Sequence, residues 1–255
     1  MSGLDPRLLL RGYAAGIFPM ADSRAAADVF WVEPRSRAIL PLDRFHLSRS
    51  LARRVRSSRF EVTRDRAFGD VLSACAERDE TWINSEIERA TLGLHAAGHA
   101  HSLETWHDGT LVGGLYGVKL GGAFFGESMF STQTDASKVA LAWLVARLRL
   151  GRFSLLDCQF MTGHLQSLGA VTVARDRYVR LLGSALESGS VVAAGATSAA
   201  GADAGAAAVE AAPAPDFFAL DGLLAERSAG AAAGALTGAL GAPGQLIVQL
   251  LGHAS

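Results

Sequence analysis

Three polar side chains fall within the most apolar strands that the sequence predicts, and they are the strongest candidates for chemistry. Glu127 lies inside the apolar segment 124–130, and Asp157 and Gln159 lie near the end of the apolar segment 155–160. A carboxylate in a buried strand must be hydrogen-bonded, paired with a cation or kept for a ligand. Asp157 and Gln159 are two residues apart, so we predict that both side chains point to one face of their strand. Together the three residues favour a site over separate structural roles.

Two other combinations of reactive residues are weaker. Cys158 and His164 have the types of a thiol nucleophile and its base, but Cys158 is predicted to point opposite to Asp157, into the core, as a small hydrophobe. A group of histidines lacks the cysteine or carboxylate that would complete a metal site, and Gly98 breaks the helix within it: His95, His99 and His101. We therefore predict neither a metal nor another cofactor.

The elements that must position these residues follow from hydrophobic periodicity. Strands are predicted over 102–106, 111–120 and 123–131, with turns at Asp108-Gly109 and Gly121-Gly122, which makes an antiparallel meander. An amphipathic helix over about 134–150 leads to the short strand 155–160. Earlier in the chain, helices are predicted at 4–15, 48–56, 67–77 and 85–98, with strands at 60–63 and 38–42. Pro41 makes the last of these an expected edge strand.

A meander followed by a long helix also fits acyl-CoA-dependent N-acetyltransferases. Those enzymes hold the pyrophosphate in a glycine-rich turn between strand and helix. Here the junction 131–135 contains no glycine and carries Asp135, which disfavours a CoA site. A set of glycines lies in mid-strand instead, where it indicates close backbone approach and not a dinucleotide fingerprint: Gly113, Gly114 and Gly117.

Charge and composition divide the chain unevenly. The segment from 35 to 66 contains ten arginines and three acidic residues, so its net charge is +7, although the whole chain carries a formal charge of −1. Such a window is either a footprint for a phosphate backbone or a solvated helix face. Alanine makes up 13 of the 25 residues from 191 to 215, so we predict a flexible tail over 187–255. The two cysteines indicate a reducing compartment, and we predict a cytoplasmic protein that does not interact with membranes.

Several motifs, in order between about residues 8 and 182, resemble the bacterial leucyl/phenylalanyl-tRNA–protein transferase family. A series of such motifs is a far stronger signal than any one of them. The most specific are Leu111-Val112-Gly113-Gly114-Leu115-Tyr116-Gly117, Phe125-Gly126-Glu127-Ser128-Met129-Phe130-Ser131, Ala136-Ser137-Lys138, Asp157-Cys158-Gln159 and Ser167-Leu168-Gly169-Ala170.

The resemblance implies an α+β fold whose antiparallel-rich sheet, flanked by helices, is similar to acyl-CoA N-acetyltransferases. It implies a small N-terminal domain over 1–36 and a catalytic domain over 37–186, before the low-complexity C-terminal tail. It also implies transfer of Leu or Phe, and sometimes Met, from charged tRNA to proteins that begin with Arg or Lys. Such transfer marks the acceptor protein for degradation by the N-degron pathway.

The resemblance also implies roles for particular residues. Asp157 and Gln159 match the pair at the reaction centre, and Glu127 matches the carboxylate that holds the basic acceptor residue. Trp82 matches an aromatic beside the 3′-terminal adenosine, and Met20 stands where some relatives carry an aromatic that contacts the adenine. Further positions match the apolar amino-acid pocket: Leu115, Phe124, Leu141, Leu144, Leu148 and Leu156.

These residue types suit aminoacyl transfer, because an aminoacyl ester is already activated and chiefly needs alignment with an amine. In this hypothesis Asp157 polarises Gln159, whose amide oxygen accepts a hydrogen bond from the attacking amine. The arginine-rich window contributes a candidate tRNA surface with Arg49, Arg53, Arg54 and Arg56. A non-catalytic tRNA- or peptide-binding module remains the alternative from another functional class, and an acyl-CoA N-acetyltransferase is a second enzymatic alternative.

Overall fold

The structure is a computed structural model that describes residues 3–78, 81–190, 213–232 and 242–252. Its helices are α1 Pro6–Ala14, α2 Arg49–Arg56, α3 Phe68–Ala76, α4 Ser85–Ala96, α5 Ala136–Leu150, α6 Gly163–Ser167, α7 Arg175–Ser190, α8 Ala219–Ala232 and α9 Pro243–Gly252. Its strands are β1 Phe18–Met20, β2 Phe30–Val32, β3 Ser36–Ile39, β4 Glu61–Arg64, β5 Ala100–His107, β6 Thr110–Leu120, β7 Ala123–Ser131, β8 Leu155–Gln159 and β9 Val171–Ala174. None of the helices in these ranges is long and apolar enough to cross a bilayer.

A seven-stranded sheet with the order β4-β5-β6-β7-β8-β3-β9 organises the molecule, and β1 and β2 form a separate antiparallel pair. The meander β5-β6-β7 confirms the prediction of consecutive antiparallel strands. The β7–β8 pair is parallel, and its described register joins Ala123, Phe124 and Phe125 to β8. The other neighbouring strands of the sheet pair antiparallel. The fold is thus α+β, with a large, mainly antiparallel sheet flanked by helices.

Glycines permit the close spacing of the meander. A Cβ on Gly117 would lie 2.3 Å from the Phe125 carbonyl oxygen, and one on Gly114 would lie 2.8 Å from the Leu103 carbonyl oxygen. Since real Cβ atoms do not approach backbone oxygens so closely, a side chain at either position would force the strands apart. The prediction that these glycines allow close backbone approach is confirmed.

The sheet separates two apolar clusters. On one face α5 packs with α2, α8 and α9, and on the other α1, α3, α4 and α7 contribute the apolar side chains. Twelve of the 15 residues of α5 are buried, including Trp143 and Arg147. The prediction of an amphipathic helix is therefore correct in position and wrong in character. Because further helices cover its outer side, α5 has little solvent-facing surface to make polar.

The predicted edge strand near Pro41 is wrong in its place. β3 ends at Ile39 and lies between β8 and β9, inside the sheet. Pro41 follows the strand, so its missing N–H removes no bond from the ladder.

The prediction of a flexible tail over 187–255 is wrong for its described parts. Phe217 is 2% exposed and stacks parallel to Phe124, with ring centroids 5.6 Å apart. Asp221 of α8 accepts a 2.5 Å hydrogen bond from the buried Arg147 of α5. In α9, Ile247 is fully buried in the α5 cluster. Large apolar residues such as these are thus sufficient to anchor two helices, while residues 191–212 lie outside the described ranges.

Candidate active site

A cavity of about 400 Å³ lies beside the place where the paired part of β7 and β8 ends. That volume is within the range of about 300–1,000 Å³ that is typical of small-molecule sites. Apolar side chains form much of its wall: Leu115, Met129, Leu141, Leu144, Leu156 and Leu165. Polar side chains form another part: Arg78, Tyr116, Glu127, Ser128, Gln159 and Thr162. The cavity therefore combines an apolar surface with a small set of polar groups.

Glu127 is positioned by an irregularity in β7. Tyr116 of β6 pairs with Ser128. The next residue of β6, Gly117, pairs with Gly126, which leaves Glu127 as the extra residue of a β-bulge. A bulge bends its strand and redirects the extra side chain. In this way the strand turns a carboxylate into the cavity wall, which strict alternation along the sequence does not reveal.

The Glu127 carboxylate is buried without a cation. It accepts a 2.9 Å hydrogen bond from Gln159 Nε2 and another from the Tyr13 hydroxyl. Among the described residues, none of the ion pairs within 4.0 Å involves Glu127. Burial raises the pKa of Glu127 from 4.5 to about 7, against the opposing effect of the two hydrogen bonds. A positive ligand in the cavity would therefore complete its surroundings.

Gln159 ends β8 in an unusual backbone conformation. Its φ of +60° lies in the left-handed region, which non-glycine residues rarely adopt. Its side chain is 5% exposed and reaches the cavity, where its Nε2 donates to Glu127. Because this bond uses the amide nitrogen, the amide oxygen remains as the acceptor that a ligand would meet.

Asp157 lies in a different environment, and the prediction that it shares a face with Gln159 is wrong. Its Oδ2 is 2.6 Å from Arg37 Nη2 and accepts a 2.8 Å bond from the Tyr178 hydroxyl. Its Oδ1 accepts the backbone N–H of Gln159 at 2.8 Å. The left-handed turn at Gln159 breaks the alternation, so the two side chains diverge. Asp157 thus holds the backbone of Gln159, while Glu127 contacts the side-chain amide.

Arg37 completes this second network from inside β3. Its side chain is almost fully buried, and its guanidinium lies 4.5 Å from the ring centroid of Phe18 and 4.7 Å from that of Tyr178. The Asp157 carboxylate raises the pKa of Arg37 against the opposing effect of its burial. The buried charges of Arg37 and Asp157 therefore compensate each other.

Cys158 packs against the α5 cluster on the side of β8 opposite to Asp157, as predicted, but it is only partly buried and also lines the cavity. Its direction follows ordinary alternation with Leu156, because the left-handed backbone comes one residue later, at Gln159. Burial nevertheless raises the pKa of the Cys158 thiol well above its ordinary range. His164 also lines the cavity, and its buried Nε2 has no hydrogen-bond partner among the residues described. A neutral thiol without a hydrogen-bonded base does not have the properties of an activated nucleophile.

The other predicted pocket residues divide into three groups. The structure brings five of them into the cavity wall: Trp82, Leu115, Leu141, Leu144 and Leu156. Phe124 and Leu148 are fully buried in the adjoining apolar cluster and support the wall from behind. Met20 packs, half-buried, with the cluster on the other face of the sheet and does not line the cavity.

Three residues of the site and its support escaped the sequence prediction. Tyr13 comes from α1, far away in the chain, and its apolar helical spacing indicated only a core residue. Tyr116 belongs to a strand whose alternation gave no sign of its unpaired hydroxyl. Arg37 was hidden within the arginine-rich window, where it resembled its solvent-exposed neighbours. For Arg37 one usable signal was its position inside a short apolar strand, where a charge needs a partner.

The arginine-rich window is only partly a surface. Arg49, Arg53 and Arg56 project from α2, are exposed, and have no carboxylate within 4.0 Å among the described residues. Arg54 is half-buried and lies 3.7 Å from Asp135. The net charge of the window therefore overestimates the free positive face, but α2 presents three unpaired cations.

Two of the three histidines that raised the question of a metal have other partners. His101 is 2.7 Å from Asp65, and the ring of His95 stacks on Phe68 with centroids 4.0 Å apart. Within the described ranges, no group of three or more histidine, cysteine or acidic side chains is arranged to hold a metal ion.

Comparison with protein families and known proteins adds an independent observation. Residues 39–183 match the family model described as leucyl/phenylalanyl-tRNA protein transferase, and residues 3–35 match the model of the N-terminal domain of that transferase. A leucyl/phenylalanyl-tRNA–protein transferase of Rhizorhabdus wittichii is 60% identical over 259 residues, which cover 100% of both chains. Its counterpart in Zymomonas mobilis is 60% identical over 189 residues, which cover 72% of this chain and 70% of the relative.

Solved structures give a more distant likeness. The crystal structure of FemX aligns with a TM-score of 0.45 and 13% sequence identity, over 66% of each chain.

Proposed function

The chain belongs to the leucyl/phenylalanyl-tRNA protein transferase family, and we propose that it moves leucine or phenylalanine from charged tRNA to the N-terminus of acceptor proteins that begin with Arg or Lys. Met is a further possible donor residue. In this proposal the enzyme acts in the cytoplasm, its modification marks the acceptor for the N-degron pathway, and its sheet has the acyl-CoA N-acetyltransferase-like arrangement.

The observation that carries the proposal is the juxtaposition, in one cavity, of an apolar wall and a buried carboxylate without a cation. The wall offers aliphatic surface to the side chain of the transferred residue. Such a surface separates leucine and phenylalanine from polar residues but distinguishes poorly among apolar ones. Glu127 offers a charge-assisted contact to the basic side chain of the acceptor.

The reaction in this site forms one amide bond and breaks one ester bond. The α-amine of the acceptor attacks the ester carbonyl carbon, the bond to the 3′-oxygen of the terminal adenosine breaks, and a proton passes from the amine to that oxygen. The free amide oxygen of Gln159 accepts a hydrogen bond from the attacking amine and aligns it. Glu127 holds the Gln159 amide, and Asp157 holds its backbone.

The candidate tRNA surface is α2. Its exposed Arg49, Arg53 and Arg56 offer three cations to a phosphate backbone, with Arg54 behind them. Helix α6 connects α2 with the cavity. Its Leu165 lines the cavity, and its Ser167 lines a groove together with Ser50, the second residue of α2. A charged tRNA that contacts α2 would thus pass α6 to place its aminoacyl end in the cavity.

Transfer itself is the test. Labelled Leu-tRNA and Phe-tRNA are offered to a test protein that starts with Arg and to the same protein starting with Met. We expect transfer to the Arg protein alone, and loss of most of it in Gln159→Ala with an unchanged circular dichroism spectrum. Absence of transfer from both tRNAs by the folded wild-type enzyme would refute the proposed reaction, and undiminished turnover of Gln159→Ala would remove the role of its side chain.

The tRNA surface needs a separate measurement. Replacing Arg49, Arg53 and Arg56 by alanine should raise KM for the charged tRNA and reduce its dependence on salt, because fewer counterions are released. Arg11→Ala/Arg177→Ala/Arg180→Ala is the matched control, since these three exposed arginines lie on α1 and α7, on the opposite face of the sheet. An equal effect of both sets would show a response to net charge and not a docking surface.

A further inference from the structure

Tyr116 carries a buried hydroxyl that has no partner. The residue is 1% exposed, and its oxygen makes no hydrogen bond with any described part of the chain. Buried phenol hydroxyls normally find a partner, because leaving one unpaired costs the desolvation of the group. Since Tyr116 also lines the cavity, the missing partner can be a ligand.

The neighbourhood of the hydroxyl indicates the charge of that ligand. Tyr116 pairs with Ser128 across β6 and β7, immediately beside the bulged Glu127. Burial and the negative charge of Glu127 raise the pKa of Tyr116 well above its ordinary value, so the phenol stays neutral. Arg78, an arginine of the cavity wall, is exposed and donates a 2.6 Å bond to Ser128. A buried carboxylate close enough to act on the pKa of the phenol favours a cation over an anion in this part of the cavity, because solvent screens the exposed guanidinium.

We infer that the Tyr116 hydroxyl accepts a hydrogen bond from the basic side chain of the acceptor's first residue and favours arginine over lysine there. The inference rests on the proposed function, in which Glu127 holds that side chain. A guanidinium presents five N–H donors around a planar fork, so one edge can meet Glu127 while another N–H meets Tyr116. The ammonium group of lysine concentrates its three donors at one point and spans the two acceptors less well.

Tyr116→Phe tests the inference without disturbing the packing. Transfer of leucine is measured on two peptides that differ only in starting with Arg or with Lys. We expect kcat/KM for the Arg peptide to fall about 10-fold through KM, as for a hydrogen bond to a charged group, and the Lys value to change by less than about 3-fold. The melting temperature should be unchanged or higher, because the variant removes a hydroxyl that has no partner in the free protein.

Tyr178→Phe is the matched control. It removes the same group, but its hydroxyl donates to Asp157 on the other side of β8. We expect that variant to lower turnover with both peptides in the same proportion and to leave the Arg-to-Lys ratio unaltered. A Tyr116→Phe enzyme with an unaltered ratio of kcat/KM between the Arg and Lys peptides would overturn this inference but not the proposed function. A KM raised for the tRNA and not for the peptide would have the same consequence. A wild-type enzyme that transfers to neither peptide would remove the proposed function and this inference with it.

Discussion

Glu127 and Asp157 are buried carboxylates on neighbouring strands, yet their surroundings are opposite. Asp157 accepts hydrogen bonds from the Arg37 guanidinium, the Tyr178 hydroxyl and the backbone of Gln159. Within the part of the chain that the structure describes, Glu127 accepts hydrogen bonds from the neutral groups of Tyr13 and Gln159, and burial raises its pKa to about 7. Asp157 has a cation in direct contact, whereas Glu127 has none within 4.0 Å among the described residues.

This difference separates support from binding. A buried charge that already has its cation and its hydrogen bonds stabilises one local geometry, here the left-handed backbone at Gln159. A buried carboxylate without a cation lowers the stability of the free protein, and a charged ligand reverses that cost. The count of charged partners, and not burial itself, therefore distinguishes the two roles.

The largest expected effect concerns Asp157, the carboxylate that supports the backbone of Gln159. Arg37→Met leaves Asp157 buried without its cation, and we expect the free energy of unfolding to fall by about 3–5 kcal/mol. Urea denaturation measures this change. An Arg37→Met protein as stable as wild type would mean that the complete network contributes nothing to folding.

A double variant sharpens the same prediction. Arg37→Met/Asp157→Leu removes both charges, so we expect it to recover much of the lost stability. It should not recover transfer activity, because the Gln159 N–H has lost its acceptor. Recovery of both properties would show that Asp157 does not position Gln159.

A change at Glu127, the carboxylate assigned to binding, should lower the transfer activity and not the stability of the fold. Glu127→Gln preserves the shape and an acceptor for Gln159 but removes the negative charge. We expect kcat/KM for an Arg-starting acceptor to fall about 10- to 100-fold, as for the loss of a charge-assisted hydrogen bond. The urea midpoint should be equal or higher. A fall in stability as large as that of Arg37→Met would remove the distinction between the two carboxylates.

Much of this arrangement followed from the sequence, and the failures have a common physical cause. The period of the apolar residues placed the strands of the meander and the helix α5 correctly, and apolar surroundings identified Glu127, Asp157 and Gln159. Alternation could not predict a β-bulge at Glu127 or a positive φ at Gln159, because both break the period of two on which it depends. Local turns of the backbone therefore decided which polar groups reach the cavity.

Contacts between distant segments were beyond the sequence for a different reason. Arg37 and Asp157 are 120 residues apart, and Arg147 and Asp221 are 74 apart, so no local pattern connects them. The C-terminal helices were missed because alanine and glycine dominate the region from 191 to 242, although Phe217 and the apolar segment 246–251 each indicate an anchor. The roles assigned to the site residues stay predictions.

The pH dependence of stability provides a third test of the comparison. The pKa of Glu127 is about 7 in the folded protein and 4.5 in its ordinary state. As the pH rises between these values, the unfolded chain releases the proton first, so the folded state loses stability. The Glu127→Gln variant has no carboxyl group at this position to titrate, so it does not lose stability in this way. We expect its melting temperature to match that of wild type near pH 4.5 and to exceed it by roughly 7–13 °C at pH 8. A difference that does not vary with pH would mean that Glu127 is not held in a desolvated state.

The smallest effect is expected at Cys158, which lies between the two carboxylate environments. Its side chain lines the cavity, and burial raises its pKa far from the range in which a thiolate forms. We expect Cys158→Ala to retain transfer within about 3-fold, because the residue contributes surface and not reactivity. Cys75→Ala is the matched control, since Cys75 is the other cysteine and does not line the cavity. Loss of more than about 1,000-fold in Cys158→Ala alone would indicate covalent catalysis by the thiol. The chemistry would then move from Glu127 and Gln159 to the residue between Asp157 and Gln159, and the comparison would no longer describe the active site.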